Sequence, residues 1–400
     1  MNILFLTYGN ICDINERGIY TDLLRGFLSQ NVVYTISPKY GSVENVFKDN
    51  LHQVFLDFDT GRAGSNLIKK GVSTLLTDRV YLKAFRQYFS DIKIDLLIYT
   101  TPPITFTSTI SYIKKRCNAK TYLLLKDIFP QNAVDIGIMR KTGLKGLLYK
   151  HFRRQEKKLY AISDRIGCMS QANVEYVTKH NPEVDPLIVE VCPNSIDVVD
   201  KSVDLETRKA IREKYEIPLD KKVFVYGGNL GRPQGIPFLI ECMKKCESIT
   251  DAFFLIVGDG TEYHLISEYV EQNKPANVKL MKRLPKEDYD TMVGACDVGL
   301  IFLDHRFSIP NFPSRLLSYM QSKIPVLAVT DPNTDIGKVI EDGGFGWWCE
   351  SDDSNQFKST IQKIVDMKDE HNLLGDNGFK YLSTHYTTEK SNTIIMRHIE

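Results

Sequence analysis

The stretch Tyr226-Gly227-Gly228-Asn229-Leu230-Gly231-Arg232-Pro233-Gln234-Gly235-Ile236 decides how the chain is read. It follows an apolar run, 223–226, that suits a buried strand, and it precedes a helical pattern over 237–245. A strand that turns through glycines into a helix is the opening unit of a doubly wound sheet. Glycine lets backbone N–H groups approach an anion, a helix N-terminus adds about half a positive charge, and Arg232 can grip phosphate oxygens in a fork. The stretch reads as an anion cradle. It fits neither G-x-G-x-x-G nor the P-loop with its Gly-Lys-Ser/Thr, and any tight strand-to-helix turn also needs glycine.

Working outward, the alternation continues. Strands are expected at 252–257, 278–281, 298–302 and 326–329. Val257-Gly258-Asp259-Gly260 follows the first of these. Ile309-Pro310-Asn311-Phe312-Pro313-Ser314-Arg315 leads into a further helical stretch, where Pro313 suits the first turn and Asn311 or Ser314 can cap it beside Arg315. Three such elements converge at one edge of one sheet. The first half has its own series: a strand at 2–7, a loop over 8–17, a helix opened by Gly18, then strands at 32–36, 95–100, 120–125, 166–169 and 188–191. A polar helix at 205–215 and a turn at 218–221 join the halves. The chain is therefore expected to form two α/β domains, 1–195 and 196–380. The last segment, 381–400, is expected as a helix packing back on the first domain. Open parallel sheets hold ligands at the carboxyl ends of their strands, so two such domains would face each other across a cleft.

Composition excludes other classes. With 400 residues, 42% of them hydrophobic and 25% charged, the chain has the make-up of a globular protein of two or three domains, not a small binding module or a disordered one. No apolar run approaches the ~18 residues of a spanning helix, and Met-Asn-Ile-Leu-Phe-Leu-Thr reads as a first strand, not a signal peptide. A cytoplasmic location is expected. The eight cysteines (12, 117, 168, 192, 242, 246, 296 and 349) show no C-x2-C spacing and read as free thiols. Asp57-Phe58-Asp59 reads as a solvated turn, and no metal is expected.

Charge is unevenly divided. Residues 1–195 hold 26 Lys and Arg against 18 Asp and Glu, net +8, which leaves net −7 for the rest. The basic excess lies in 62–89 and 137–165. In the second stretch Leu144, Leu147, Leu148, Phe152 and Leu159 recur at near-helical spacing between Lys145, Lys150, Arg153, Arg154, Lys157 and Lys158. Such a helix either packs on a core with a solvated basic back or touches anionic lipid headgroups. Nothing resembles an RNA-binding motif or a helix-turn-helix, so no nucleic-acid partner is expected.

Taken together and in order, Gly-Gly-Asn-Leu-Gly-x-x-Gln-Gly (227–235), Val-Gly-Asp-Gly (257–260), the helix-strand at 290–303 and Pro-Ser-Arg-Leu-Leu-Ser-Tyr-Met (313–320) followed by Lys323-Ile324-Pro325-Val326 resemble glycosyltransferase family 4. The resemblance is greatest to the branch of bacterial capsule and O-antigen sugar transferases. Lys126-Asp127-Ile128-Phe129-Pro130-Gln131 is similar to that branch's Asp-x-Trp-Pro-Glu segment, and Pro193-Asn194-Ser195-Ile196-Asp197 to its Pro-Asn-Gly-Val-Asp linker. The resemblance implies a GT-B fold, two Rossmann-like doubly wound domains facing a central cleft. It implies transfer of a sugar, with retention and without a metal, from a nucleotide-diphosphate sugar to a saccharide acceptor. For this branch the acceptor is expected to be lipid-linked and the enzyme peripheral at the inner face of the plasma membrane.

Carried over by position, the base contact falls near Arg283 and Leu284, and the diphosphate contacts at Asn229 to Gln234, Arg232 among them, and at the helix start near Ser314 and Arg315; Gly228, Gly258, Gly260 and Asn311 are further donor-binding candidates. The ribose contact falls at Ser318, with Gly18 and Asp127 on inward loops of the first domain. Family 4 usually carries a Glu-x7-Glu pair, but here those positions are Pro310 and Ser318, and Asn229 and Gln234 replace the usual Arg and Lys on the diphosphate. Arg232 or Arg315 is left to supply the charge. Breaking a glycosyl-diphosphate bond needs fixed positive potential at the phosphates and a polar group near the anomeric carbon. Arg232 and Asp127 are the catalytic candidates, although Asp127 could equally be a turn residue before Phe129-Pro130. Two other readings remain: a nucleotide-sugar epimerase on the same fold, and a non-catalytic relative that partners an active enzyme.

Overall fold

The apolar runs become parallel strands because both of their faces are covered. In β1 (Asn2–Leu6), for example, Ile3, Leu4, Phe5 and Leu6 are all fully buried. The computed structural model describes residues 1–9, 11–41, 43–57, 67–367 and 371–399. They form two compact units, Met1–Asp197 with Thr387–Glu400, and Val198–Tyr386.

The first unit holds β1, β2 (Val32–Pro38), β3 (Glu44–Lys48), β4 (Leu51–Leu56), β5 (Leu96–Thr100), β6 (Lys120–Leu125), β7 (Arg165–Cys168) and β8 (Val189–Val191). Their order is β3-β4-β2-β1-β5-β6-β7-β8, parallel except for β3 against β4. Its core joins Ile3, Phe5, Leu24, Phe27, Ile98 and Ile395. The second unit holds β9 (Lys222–Asn229), β10 (Ala252–Asp259), β11 (Val278–Met281), β12 (Val298–Phe302), β13 (Val326–Thr330) and β14 (Gly346–Glu350), in the all-parallel order β11-β10-β9-β12-β13-β14. Phe224, Phe254, Phe302 and Phe357 stack through its core. The parallel strand order reverses between β1 and β5 in the first sheet and between β9 and β12 in the second. Those are the switch points where open α/β sheets take ligands.

The sequence carried no expectation of the β3–β4 hairpin. Its turn rests on Asp49 at φ 50°, inside a charged run that conceals the strand pattern. At the other end of the chain, helix His371–His385 stays whole within the second unit and a separate helix, Thr388–Met396, belongs to the first, so the expected 381–400 segment is divided. The return is pinned at one point. Ile196 bridges Thr387, the Thr388 hydroxyl donates to Asp197 (2.7 Å), and Arg25 spans Asp22 and Asp197. Helix Leu205–Lys214 is held in the second unit by Arg208 and Arg212, which pair with Asp297 at 2.5 and 2.7 Å.

The basic helix spans Gly143–Ile162, but its buried stripe differs from the expected one. Phe152 and Leu159 are buried together with Glu156 and Tyr160, whereas Leu147 is 65% exposed and Leu148 48%. Phe152, Glu156, Leu159 and Tyr160 lie on the inward face, where Glu156 is satisfied by Arg153 and Tyr160, which makes a polar residue part of the packed side. Of the other basic stretch, 62–66 lie outside the described residues, as do Phe58 and Asp59 of the acidic turn. All eight cysteines are unbonded and seven are buried. No helix among the described residues is long and apolar enough to cross a membrane.

Candidate functional site

At the carboxyl end of β9, side chains are removed so that backbones can close up. Gly228 sits at φ 117°, a conformation that disfavours any side chain. A Cβ on Gly258 would lie 2.0 Å from the Gly228 carbonyl oxygen, and one on Gly260 would lie 2.3 Å from that of Leu230. Gly258 and Gly260 are thus explained by the fit of the β10 loop against the β9 loop. Gly227 makes room for the Tyr289 hydroxyl.

Arg315 stands directly beneath this turn. Its Nη2 lies 3.5 Å from where a Gly228 Cβ would be, and its guanidinium covers the Tyr226 ring at 4.3 Å. Its Nη1 is buried with no hydrogen-bond partner, and among the described residues no carboxylate pairs with it. The surrounding phenols supply no countercharge. Burial raises the pKa values of Tyr226 and Tyr289 and pushes Tyr319 up to about 12, so all three stay neutral at ordinary pH. A guanidinium taken out of water without an acid costs several kcal/mol, and the β9 turn above it lies at the switch point, where open α/β sheets take ligands.

The rest of the loop is tied up internally. The Gln234 side-chain carbonyl accepts from the Gly231 N–H (3.2 Å) and the Asn229 amide (3.0 Å). Gly235, at φ 60°, starts helix Ile236–Lys245 close against Asp304. Arg232 is 55% exposed and reaches Glu262 at 3.5 Å, so it is shared with a carboxylate, unlike Arg315. Glu262's other oxygen is buried without a partner, and burial raises its pKa although Arg232 opposes the shift. Asp304, just past β12, receives Arg306 in a two-pronged pair (2.8 and 2.7 Å) while its N–H donates to the Pro233 carbonyl (3.0 Å), which fixes the floor of the loop.

Helix Arg315–Gln321 has Ser314 at its N-cap, yet neither Ser314 nor Asn311 caps it through a side chain. Asn311 instead accepts from the Thr334 hydroxyl through its carbonyl, and its Nδ2 is buried without a partner. Ser318 follows on that helix. Pro310 is buried. Arg283 and Leu284 follow β11, the outermost strand, two strands away from β9. Within the first unit, Gly18 precedes helix Ile19–Leu28 and donates its N–H to Asp22 (2.9 Å). Asp127 follows β6, where Asn132 donates to Oδ1 (2.6 Å) and Thr101 binds its backbone. Burial nevertheless lifts the Asp127 pKa to about 6, and next to it burial drops the Lys126 pKa to about 8.

Sequence reasoning missed Glu262, Asp304, Arg306 and the phenol cage. Asp304 carried a signal, since it lies directly beyond the strand expected at 298–302. The tyrosines carried none, because only the fold brings positions 226, 289 and 319 together. Among the described residues no group of three or more His, Cys, Asp or Glu could hold a metal ion.

Residues 207–381 match the family described as glycosyl transferases group 1. A probable glycosyltransferase, WbjE of Pseudomonas aeruginosa, is 25% identical over 278 residues, 68% of this chain and 66% of the relative. The putative colanic acid biosynthesis glycosyl transferase WcaI of Escherichia coli is 21% identical over 62% of this chain and 60% of its own length. The matches thus span two thirds or less of these relatives. Among solved structures, sucrose-phosphate synthase from Thermosynechococcus elongatus covers 100% of this chain and 98% of its own at a TM-score of 0.75 and 15% identity. Anabaena HepE in complex with UDP-glucose covers 100% and 99% at 0.69 and 14%. Two parallel-sheet units of this kind are the GT-B architecture.

Proposed function

We propose that the chain is a glycosyltransferase that moves a sugar from a nucleotide-diphosphate donor to a saccharide acceptor in surface polysaccharide assembly. The observation that carries this reading is the buried guanidinium of Arg315, without an acid, under a glycine turn at the switch point of the second sheet. A diphosphate seated on the β9 turn would supply the negative charge that the Arg315 guanidinium lacks. As the glycosyl bond breaks, negative charge grows on the leaving diphosphate, and a preorganised cation in a dry site stabilises that change more than it stabilises the bound donor. Arg232 supports the same charge once it exchanges Glu262 for phosphate oxygens. In this reading guanidinium groups do the work that a divalent ion does elsewhere, and transfer proceeds with retention.

In the first unit Asp127 is the proposed partner of the acceptor hydroxyl or of the anomeric carbon. Its pKa near 6 suits a group that must exchange protons near neutral pH. The resemblance to WcaI, named for colanic acid biosynthesis, supports a polysaccharide role, and that to a UDP-glucose complex supports a nucleotide-sugar donor. A lipid-linked acceptor and a place at the inner face of the plasma membrane fit helix Gly143–Ile162, which exposes Leu147 and Leu148 beside Lys150, Arg154, Lys157 and Lys158. Thermal-shift measurements with UDP, GDP, ADP, dTDP and their sugars test the reading. At a hundred times its dissociation constant a ligand stabilises by about 2.7 kcal/mol, and a protein indifferent to all of them would not be such an enzyme.

A further inference from the structure

β3 (Glu44–Lys48) is the outermost strand of the first unit's sheet, and among the described residues no strand pairs with its outer edge. Its pairing with β4 runs without a break from Glu44 opposite Phe55 to Lys48 opposite Leu51, so there is no bulge to twist the free edge away, and the strand contains no proline. The side chains are unusual for such an edge. Val46 is 40% exposed and Phe47 59%, and Tyr40 and Val43 just upstream are also largely exposed. An open edge that presents apolar side chains on both faces is a template for another strand.

We propose that this edge joins two copies of the chain, β3 against β3, antiparallel about a twofold axis at Val46. The strand's own sequence favours that occupant. In this register Glu44 of each copy faces Lys48 of the other, Asn45 faces Phe47, and Val46 meets Val46, so the symmetric pairing brings two opposite-charge contacts around an apolar centre. Slipping the register by one residue sets Glu44 opposite Asp49 or Phe47, so both opposite-charge contacts are lost. Glu44 pairs with Lys39 at 2.5 Å and keeps 39% of its side chain exposed. A five-residue ladder with four apolar side chains sits at the small end of specific interfaces, so the association is micromolar.

Sedimentation velocity on the full chain from about 1 to about 200 μM tests the proposal, a span that brackets such an affinity. The wild type should shift from monomer to dimer across that range. Glu44→Lys sets two pairs of lysines opposite each other and should weaken the dimer about tenfold. Adding Lys48→Glu to the same chain restores opposite charges and should return association to the wild-type level. Val46→Lys places two cations at the axis and should give a monomer throughout, and its melting curve controls for folding. A wild type that stays monomeric at the highest concentration overturns the proposal. So does a double variant that fails to recover, or a Val46→Lys chain that remains dimeric. Equally, if the apolar edge instead binds anionic vesicles and the wild type never dimerises, the occupant is a membrane and the proposal fails.

Discussion

Replacing Arg315 by methionine separates a residue kept for folding from one kept for a ligand. In the free protein the change removes a cation over the Tyr226 ring, worth about 0.5–2 kcal/mol. It also removes the cost of holding an unpaired charge out of water, which is several kcal/mol. The unliganded variant should therefore melt at the wild-type temperature or above it. Binding should move the other way. A hydrogen bond between charged groups contributes about 1.5–3 kcal/mol, so the dissociation constant of the preferred nucleoside diphosphate should rise roughly 10- to 150-fold. In a thermal shift at a hundred times the wild-type constant, stabilisation should fall from about 2.7 kcal/mol to about 0.4 for a hundredfold weaker variant. At roughly 2–4 °C per kcal/mol, a wild-type shift of about 5–10 °C becomes one of about 1–2 °C. Isothermal titration gives the constants directly. Unchanged binding would refute the reasoning. So would a large loss of stability without ligand, which would make Arg315 a structural residue.

Three further outcomes are expected. Asp127→Asn should lower turnover by about 10²–10⁴, and the wild-type rate should fall as pH drops through about 6, where the carboxylate gains its proton. Because folding raises this pKa, ionising Asp127 opposes folding. The asparagine variant should therefore gain in melting temperature relative to wild type above pH about 6 and lose that gain towards pH about 4, as paired pH series would record. Gly258→Ala forces a methyl group to 2.0 Å from the Gly228 carbonyl and should destabilise by about 1–3 kcal/mol or more, read by chemical denaturation, with the β9 turn displaced and binding weakened. Leu147→Glu with Leu148→Glu should leave the fold intact, since both side chains are exposed, and should abolish sedimentation with anionic liposomes; retained binding would free this helix of a membrane role.

The sheets were legible because parallel strands are buried on both faces and so appear as short apolar runs, as at 223–226 and 252–257. The glycine turns were legible for the same local reason. What failed depended on neighbours. The β3–β4 hairpin turns at the polar pair Asp49-Asn50, and its β4 strand is set beside β2 by the fold. Leu147 and Leu148 keep the spacing of a buried stripe, yet both are exposed, and the packed side further along the helix includes Glu156, satisfied by Arg153 and Tyr160. Arg232 looked like the principal cation from its loop, but it is engaged with Glu262, while Arg315, far along the chain, is the one that lacks an acid. Sequence places a charge on an element, and only packing decides what that charge is left facing.

A crystal soaked with the tightest-binding nucleoside diphosphate tests the central claim most directly. The account predicts its phosphates on the turn after β9, within hydrogen-bond distance of the Arg315 guanidinium. Phosphates bound away from that turn, or an Arg315 still without an acceptor beside a bound nucleotide, would contradict it.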